Sequence, residues 1–147
     1  MLSQLKTDEN HSTESIRRAL IEMKGEMKRT TRAAINATAT ATAQEVATGY
    51  ITSTSAAATT ITLPTGTLLG AALGATQGTI HDLYIDNTAG ASTITIAVAT
   101  NGILSALAAA GSAAAHGLLT VPSGVTGQAL FRLMFSSATA YTFTRVA

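Results

Sequence analysis

The chain of 147 residues contains no cysteine. That excludes disulfide staples and thiolate-held zinc sites. Aromatic residues make up only 4%, so the core has to be mostly aliphatic, with Phe131, Phe135, Tyr141 and Phe143 grouped near the C-terminus. Charge is scarce over most of the length. Of 17 charged residues, 13 lie in residues 1–45, and the remaining 102 positions carry only Asp82, Asp86, Arg132 and Arg145. The formal net charge is +1, too small for a general nucleic-acid-binding surface. A strongly apolar run is also missing. The longest uncharged candidate, Gly102–Leu119, spans 18 residues but is mostly Ala, Gly and Ser with His116 inside it. A spanning helix needs ~20 predominantly apolar residues, so no membrane segment is expected. The opening MLSQLKTDENH has no apolar h-region, and no signal peptide is expected from it.

What remains divides the chain in two: a charged helical arm with its linker over residues 1–45, and a neutral body over residues 46–147. In the arm, Ser12 or Thr13 can cap a helix. Apolar positions then recur at Ile16, Leu20, Met23 and Met27, continuing weakly through Thr30 and Ala34, in alternating steps of four and three. That is a heptad stripe. Arg17, Arg18 and the other charges fall largely off it. Glu14 and Arg18 form an i,i+4 pair in the favourable order. The stripe is short and Gly25 interrupts the helix at a cost of about 1 kcal/mol, so the arm needs a partner surface. Ile16, Leu20, Met23 and Met27, with Arg17 and Arg18 beside them, are the expected interaction residues. Residues 36–43 read NATATATA, an alternation that sets every hydroxyl on one side of an extended chain, as a linker or a first strand.

The body is punctuated into short alternating stretches, as half-buried strands are. They are Val46–Thr54, Thr59–Leu63, Thr79–Asp86, Ser92–Ala99, Leu118–Val121, Gln128–Phe135 and Tyr141–Val146. Leu83 and Ile85, Ile94 and Ile96, and Phe131, Leu133 and Phe135 are the expected inward faces. Asn87-Thr88-Ala89-Gly90 predicts a hairpin turn between the third and fourth stretches. The expected fold is mainly β: an antiparallel β-sandwich or jelly roll of seven or eight strands, preceded by the helical arm. Gly66, Gly70, Gly74 and Gly78 recur every fourth residue, in a segment expected to be a loop with a turn of helix at Leu68–Leu73. The small-residue strip Ala106–Ala115 suits a crowded contact or a plain loop.

Catalytic patterns are missing. There is no phosphate-cradling glycine loop, nucleophile elbow or HExxH sequence, and His11, His81 and His116 are far apart in the chain. Asp82 and Asp86 share a strand face at ~13 Å, too far apart for a glycosidase pair. Asp86 is expected to shape its turn, His81 to be a satisfied core histidine, and Arg132 and Arg145 to pair with Asp82 or Asp86. A calcium site at Asp82, Asp86 and Asn87 would need further oxygens. No enzyme activity, cofactor or metal is expected.

The stretches GTIHDLYIDNTAGASTITIAV (78–98) and ALFRLMFSSATAYTFTRV (129–146) resemble the hairpins of small jelly-roll decoration or cement proteins of tailed-bacteriophage heads, and the heads of phage fibres. The resemblance implies a structural virion protein on the capsid exterior, made in the host cytoplasm. Its expected partners are itself, as a homotrimer, and the major capsid protein, with no nucleic acid, membrane or small-molecule substrate. No catalytic residues carry over. The charged helix departs from the short extended arm of many decoration proteins. A fibre or spike head, or a carbohydrate-binding module for host attachment, is therefore the second reading; Tyr50 and Tyr84 are its candidate aromatics.

Overall fold

The computed structural model describes residues 13, 15–18, 32–104 and 119–147. The chain forms two compact units, Met1–Thr30 and Thr31–Ala147. In the first, Thr13 and residues 15–18 are helical.

The second unit is mainly β, with two sheets. Its strands are Ala33–Ala34 (β1), Ala39–Thr40 (β2), Tyr50–Thr52 (β3), Thr59–Thr62 (β4), Ile80–Asp86 (β5), Ile94–Ala97 (β6), Gly102–Leu104 (β7), Thr120–Val121 (β8), Gln128–Ser137 (β9) and Ala140–Arg145 (β10). Two helices interrupt them, Ala43–Ala47 (α1) and Gly66–Leu73 (α2). One sheet has six strands in the order β1-β3-β5-β9-β10-β7, and the other four in the order β2-β4-β6-β8.

From β1 to β8 each strand lies in the opposite sheet from the one before it. The chain therefore winds through both sheets, and the first three turns stack in parallel. Ala33 lies beside Ile51 and Ile51 beside Ile85 in one sheet; Ala39 lies beside Ile61 and Ile61 beside Ile96 in the other. Parallel neighbours need a crossover between them, and here the crossover is the strand in the facing sheet plus, in two turns, a short helix. The β9–β10 hairpin then extends the six-stranded sheet antiparallel to β5, and β8 closes the four-stranded sheet antiparallel to β6.

The strand parities hold. Ile51, Leu83, Ile85, Phe131, Leu133, Phe143 and Tyr141 from one sheet join Ile61, Ile94, Ile96 and Val121 from the other in a single buried cluster. Phe131 and Phe143 stack at 4.9 Å between ring centroids. The pairing directions differ from expectation. The sheets are mixed rather than antiparallel: five strand pairs among the described residues run parallel and three antiparallel. A period of two residues fixes which side chains point inward, but not which strand lies alongside.

Asn87 accounts for the largest difference. The predicted hairpin between β5 and β6 does not form, because the two strands belong to different sheets. Asn87 is fully buried, and its Nδ2 donates to the carbonyls of Ser92, Val121 and Pro122 at 2.8, 3.2 and 3.0 Å. Its own N–H donates to Gly127 O at 2.6 Å. One side chain thus fastens the passage from one sheet to the other. Gly90 lies so close to Asn87 Oδ1 that a Cβ there would collide with it.

The glycine repeat is likewise resolved. Gly66 and Gly70 lie on α2 against the backbone of the β9–β10 turn, where a Cβ would collide with Thr139 O and Ala138 O. Gly74 takes the left-handed C-cap conformation at φ 59° and Gly78 adopts φ 87°, both unfavourable for a side chain. The helix is longer than the single turn expected, and Thr65 caps it by accepting from Leu68 N. Leu69 is fully buried beneath it. The predicted strand Val46–Thr54 shortens to β3, because Thr42 and Glu45 form a reciprocal capping box that starts α1. The Ala106–Ala115 strip lies outside the described residues.

Candidate functional site

Even-numbered residues of β3, β5 and β9 point away from the core, and on this outer face most of the body's polar chemistry is gathered. Tyr50 and Tyr84 are register partners on neighbouring strands. Their rings are 5.5 Å apart, tilted by 33°, an ordinary aromatic pair geometry. Two residues along, Thr52 faces Asp86.

The Asp86 carboxylate is held from three directions. Tyr50 Oη donates to Oδ2 at 2.8 Å, while Thr88 N and Thr88 Oγ1 donate to Oδ1 at 3.0 and 2.6 Å. These bonds, those from Thr88 foremost, together with the positive charge of Arg32, keep its pKa below the usual carboxylate value. The same Tyr50–Asp86 bond is the main cause of a raised Tyr50 pKa, since ionised phenol and carboxylate would repel. Asp86 does shape its turn, as expected, but its position beside Arg32 and Tyr50 depends on strands distant in sequence.

A cleft of about 270 Å3 opens at this point. Arg32, Asn36, Thr52, Thr54, Asp86 and Thr88 are among its lining residues. Asn36 Oδ1 accepts from Thr54 N at 2.9 Å, which ties the segment after β1 to the end of β3. The cleft thus lies where the first turn of the winding chain meets the second.

Elsewhere on the face, Arg132 and Asp82 are register partners. They form a two-pronged pair, Nε to Oδ1 at 2.8 Å and Nη2 to Oδ2 at 3.0 Å, the geometry in which guanidinium and carboxylate bind best. Arg145 takes a different role from that expected. Its guanidinium lies 5.9 Å from the Phe131 ring centroid and donates through Nη1 to Thr120 O at 2.9 Å. Burial lowers its pKa. His81 Nε2 donates to Val46 O at 2.9 Å, a satisfied, partly buried histidine. Asp82, Asp86 and Asn87 are not brought together: Asp82 faces Arg132 and Asn87 points into the core. Among the described residues no three His, Asp or Glu side chains cluster as metal ligands, and no helix is long and apolar enough to cross a membrane.

Of the residues expected to make the arm's interaction surface, Ile16, Arg17 and Arg18 lie in the helical stretch and are exposed, Ile16 by 58%. Leu20, Met23 and Met27 lie outside the described residues. The sequence reading found Tyr50 and Tyr84 but missed their partnership with Asp86 and Arg32. Alternation places Asp82, Tyr84 and Asp86 on one face, as the structure has them; nothing local could have brought Arg32 to them. Compared with known proteins, the chain matches no family model, no curated protein and no solved structure.

Proposed function

We propose that this chain is a structural virion protein that decorates or cements the exterior of a phage capsid as a homotrimer, acting by binding rather than by catalysis. The observation that carries this reading is Ile16, the first residue of the arm's apolar stripe. It lies in a helical stretch, is 58% exposed, and is flanked by exposed Arg17 and Arg18. An apolar side chain shown to solvent on a short helix stabilises that helix when another surface covers it.

The body supports the same role. Its Asp82 and Arg132 side chains pair with one another. Beside them lie Ile80 and Met134, register partners on β5 and β9, exposed by 59% and 39%. Such a surface suits packing against other protein subunits, where charge is sparse and Met is enriched. Cementing then acts through burial across coat subunits, at ~25 cal/mol per Å2 of apolar area, over interfaces of ~800 Å2 per partner.

The test compares the full chain with residues 31–147 by light scattering and by co-sedimentation with capsids of the phage that encodes it. The expected result is a trimer in both forms and capsid binding by the full chain alone. Undiminished sedimentation of the truncated chain would remove the arm from this role. A trimer that falls to monomer on truncation would make the arm a stalk and favour a fibre head.

A further inference from the structure

We infer that Asn101 is a site of spontaneous covalent modification, where the side-chain amide is lost through a cyclic imide with Gly102, and that the pairing of β7 with β10 sets the rate. Asparagine is thermolabile, and most so before glycine, because no side chain shields the following backbone nitrogen. The chain has four asparagines, and only Asn101 precedes a glycine. The others precede His11, Ala37 and Thr88. Asn36 and Asn87 are held by side-chain hydrogen bonds, to Thr54 N and to three carbonyls. Asn101 is exposed.

The chemistry needs only water. Gly102 N, once deprotonated, attacks Asn101 Cγ. A bond forms between them, the amide C–N bond breaks, and ammonia leaves. Water then opens the five-membered imide at either carbonyl, and the ring nitrogen takes back a proton. Opening at Cγ leaves an aspartate. Opening at the main-chain carbon leaves an isoaspartyl link, in which the backbone runs through Cβ and Cγ and is one methylene longer.

The fold resists the first step. Gly102 N donates to Ala99 O at 3.0 Å and closes the turn Ala99–Gly102. Asn101 is the third residue of that turn and has φ 62°, the one positive φ outside glycine among the described residues. That is the pattern of a type II turn, whose third residue is glycine or asparagine with ψ of about 0°. At that ψ the Gly102 nitrogen points away from Asn101 Cγ, and its bonded N–H resists deprotonation. Attack therefore requires the turn to open. Opening is within easy reach, because β7 has three residues and lies at the edge of its sheet, where local release costs least.

The isoaspartyl product does not fit back. Asn101 O accepts from Tyr141 N at 3.1 Å, and Gly102 is the register partner of Tyr141. Rerouting the chain turns that carbonyl into a pendant carboxylate and shifts β7 along β10. There is no slack for the extra methylene, since even a Cβ on Gly102 would meet Tyr141 Oη at 2.7 Å and Val98 Cβ at 3.0 Å. Release of β7 thus becomes permanent.

This inference stands apart from the capsid reading and does not need it. The test incubates the full-length chain at mildly alkaline pH, with and without guanidinium chloride. Peptide mapping by mass spectrometry and an isoaspartate assay then locate the product. The folded chain should convert slowly, at Asn101 before any other asparagine, and the denatured chain about tenfold faster or more. Asn101→Gly, which keeps the positive φ, should abolish the modified peptide. The isoaspartyl fraction, separated by its added negative charge, should show faster amide hydrogen exchange in β7, whereas Asn101→Asp should exchange as the wild type does. No conversion at Asn101 in the folded chain overturns the inference, as does an equal rate in guanidinium chloride, or wild-type exchange of β7 in the isoaspartyl fraction.

Discussion

Tyr141 shows how much one buried hydroxyl can decide. It is fully buried, and its hydroxyl donates to Pro64 O at 3.0 Å, linking β10 to the residue before Thr65, the cap of α2. Burial pushes its pKa from 10.0 up to about 12. The folded state therefore keeps a proton that the unfolded chain loses. The stabilisation is complete below pH 10 and disappears as pH rises through about 12. Over that window the chain should lose about 3 kcal/mol of stability from this group. Tyr141→Phe should cost about 1 kcal/mol at pH 8 and flatten the alkaline decline. Urea midpoints measured between pH 8 and 11.5 check both. Asn87 works differently: its two amide N–H groups serve three carbonyls, one N–H being shared. Its Oδ1 is buried without a partner, a cost of about 1–3 kcal/mol that the sheet-to-sheet passage carries.

At the scale of elements, the two short helices owe their ends to single residues. Thr42→Ala removes the hydroxyl half of the α1 capping box while its backbone N–H can still donate to Glu45, and should lower stability by about 1 kcal/mol. In α2 the faces differ sharply. Gly70→Ala sets a methyl against Ala138 O and should destabilise by about 1–3 kcal/mol. Leu68→Ala, at a position 60% exposed on the same helix, should fall within about 0.5 kcal/mol of wild type. Thermal or denaturant unfolding of the two variants side by side gives the comparison.

The elements also show what could be read from sequence. The inward faces of the longer strands were legible, because alternation is local: Leu83 and Ile85, Ile94 and Ile96, Phe131 and Leu133 are buried as expected. β1 and β7 were not, since the sequence places Ala34 on the helical stripe and Gly102–Leu104 in an uncharged small-residue run. The capping box at Thr42–Glu45 was legible in principle as a T-x-x-E pattern. The β5–β6 hairpin failed for a nonlocal reason. Asn87 to Gly90 has turn chemistry, but Asn87 binds carbonyls of residues 121 and 122, and that long-range bond turns the chain into the other sheet. The glycine repeat gave its spacing but not its cause, which lies in the backbone of residues 138–139.

At the scale of the molecule, the winding course gives the body two unlike ends. One has β7 and β8 at the sheet edges, with the long β9–β10 hairpin just inside β7. The other is the first turn, where β1 and β2 are two residues each and occupy edges of both sheets. Three of the nine residues lining the candidate cleft, Arg32, Ala34 and Asn36, belong to that thin end. That is why the site could not be read from sequence: it exists only once the first turn has stacked on the second.

The same thin turn is where the arm joins the body, and this has a mechanical consequence. Any pull transmitted along the arm reaches Ala33 before anything else. There it meets a rung held by few bonds, among them Ile35 N to Thr52 O and Thr54 N to Asn36 Oδ1. The core strands lie behind it, out of the direct line of load. If this rung peels away first under tension, the tether lengthens by about a dozen residues at ~3.3 Å each, Ala33, Ile35 and Ala41 leave the buried cluster, and the longer strands stay paired.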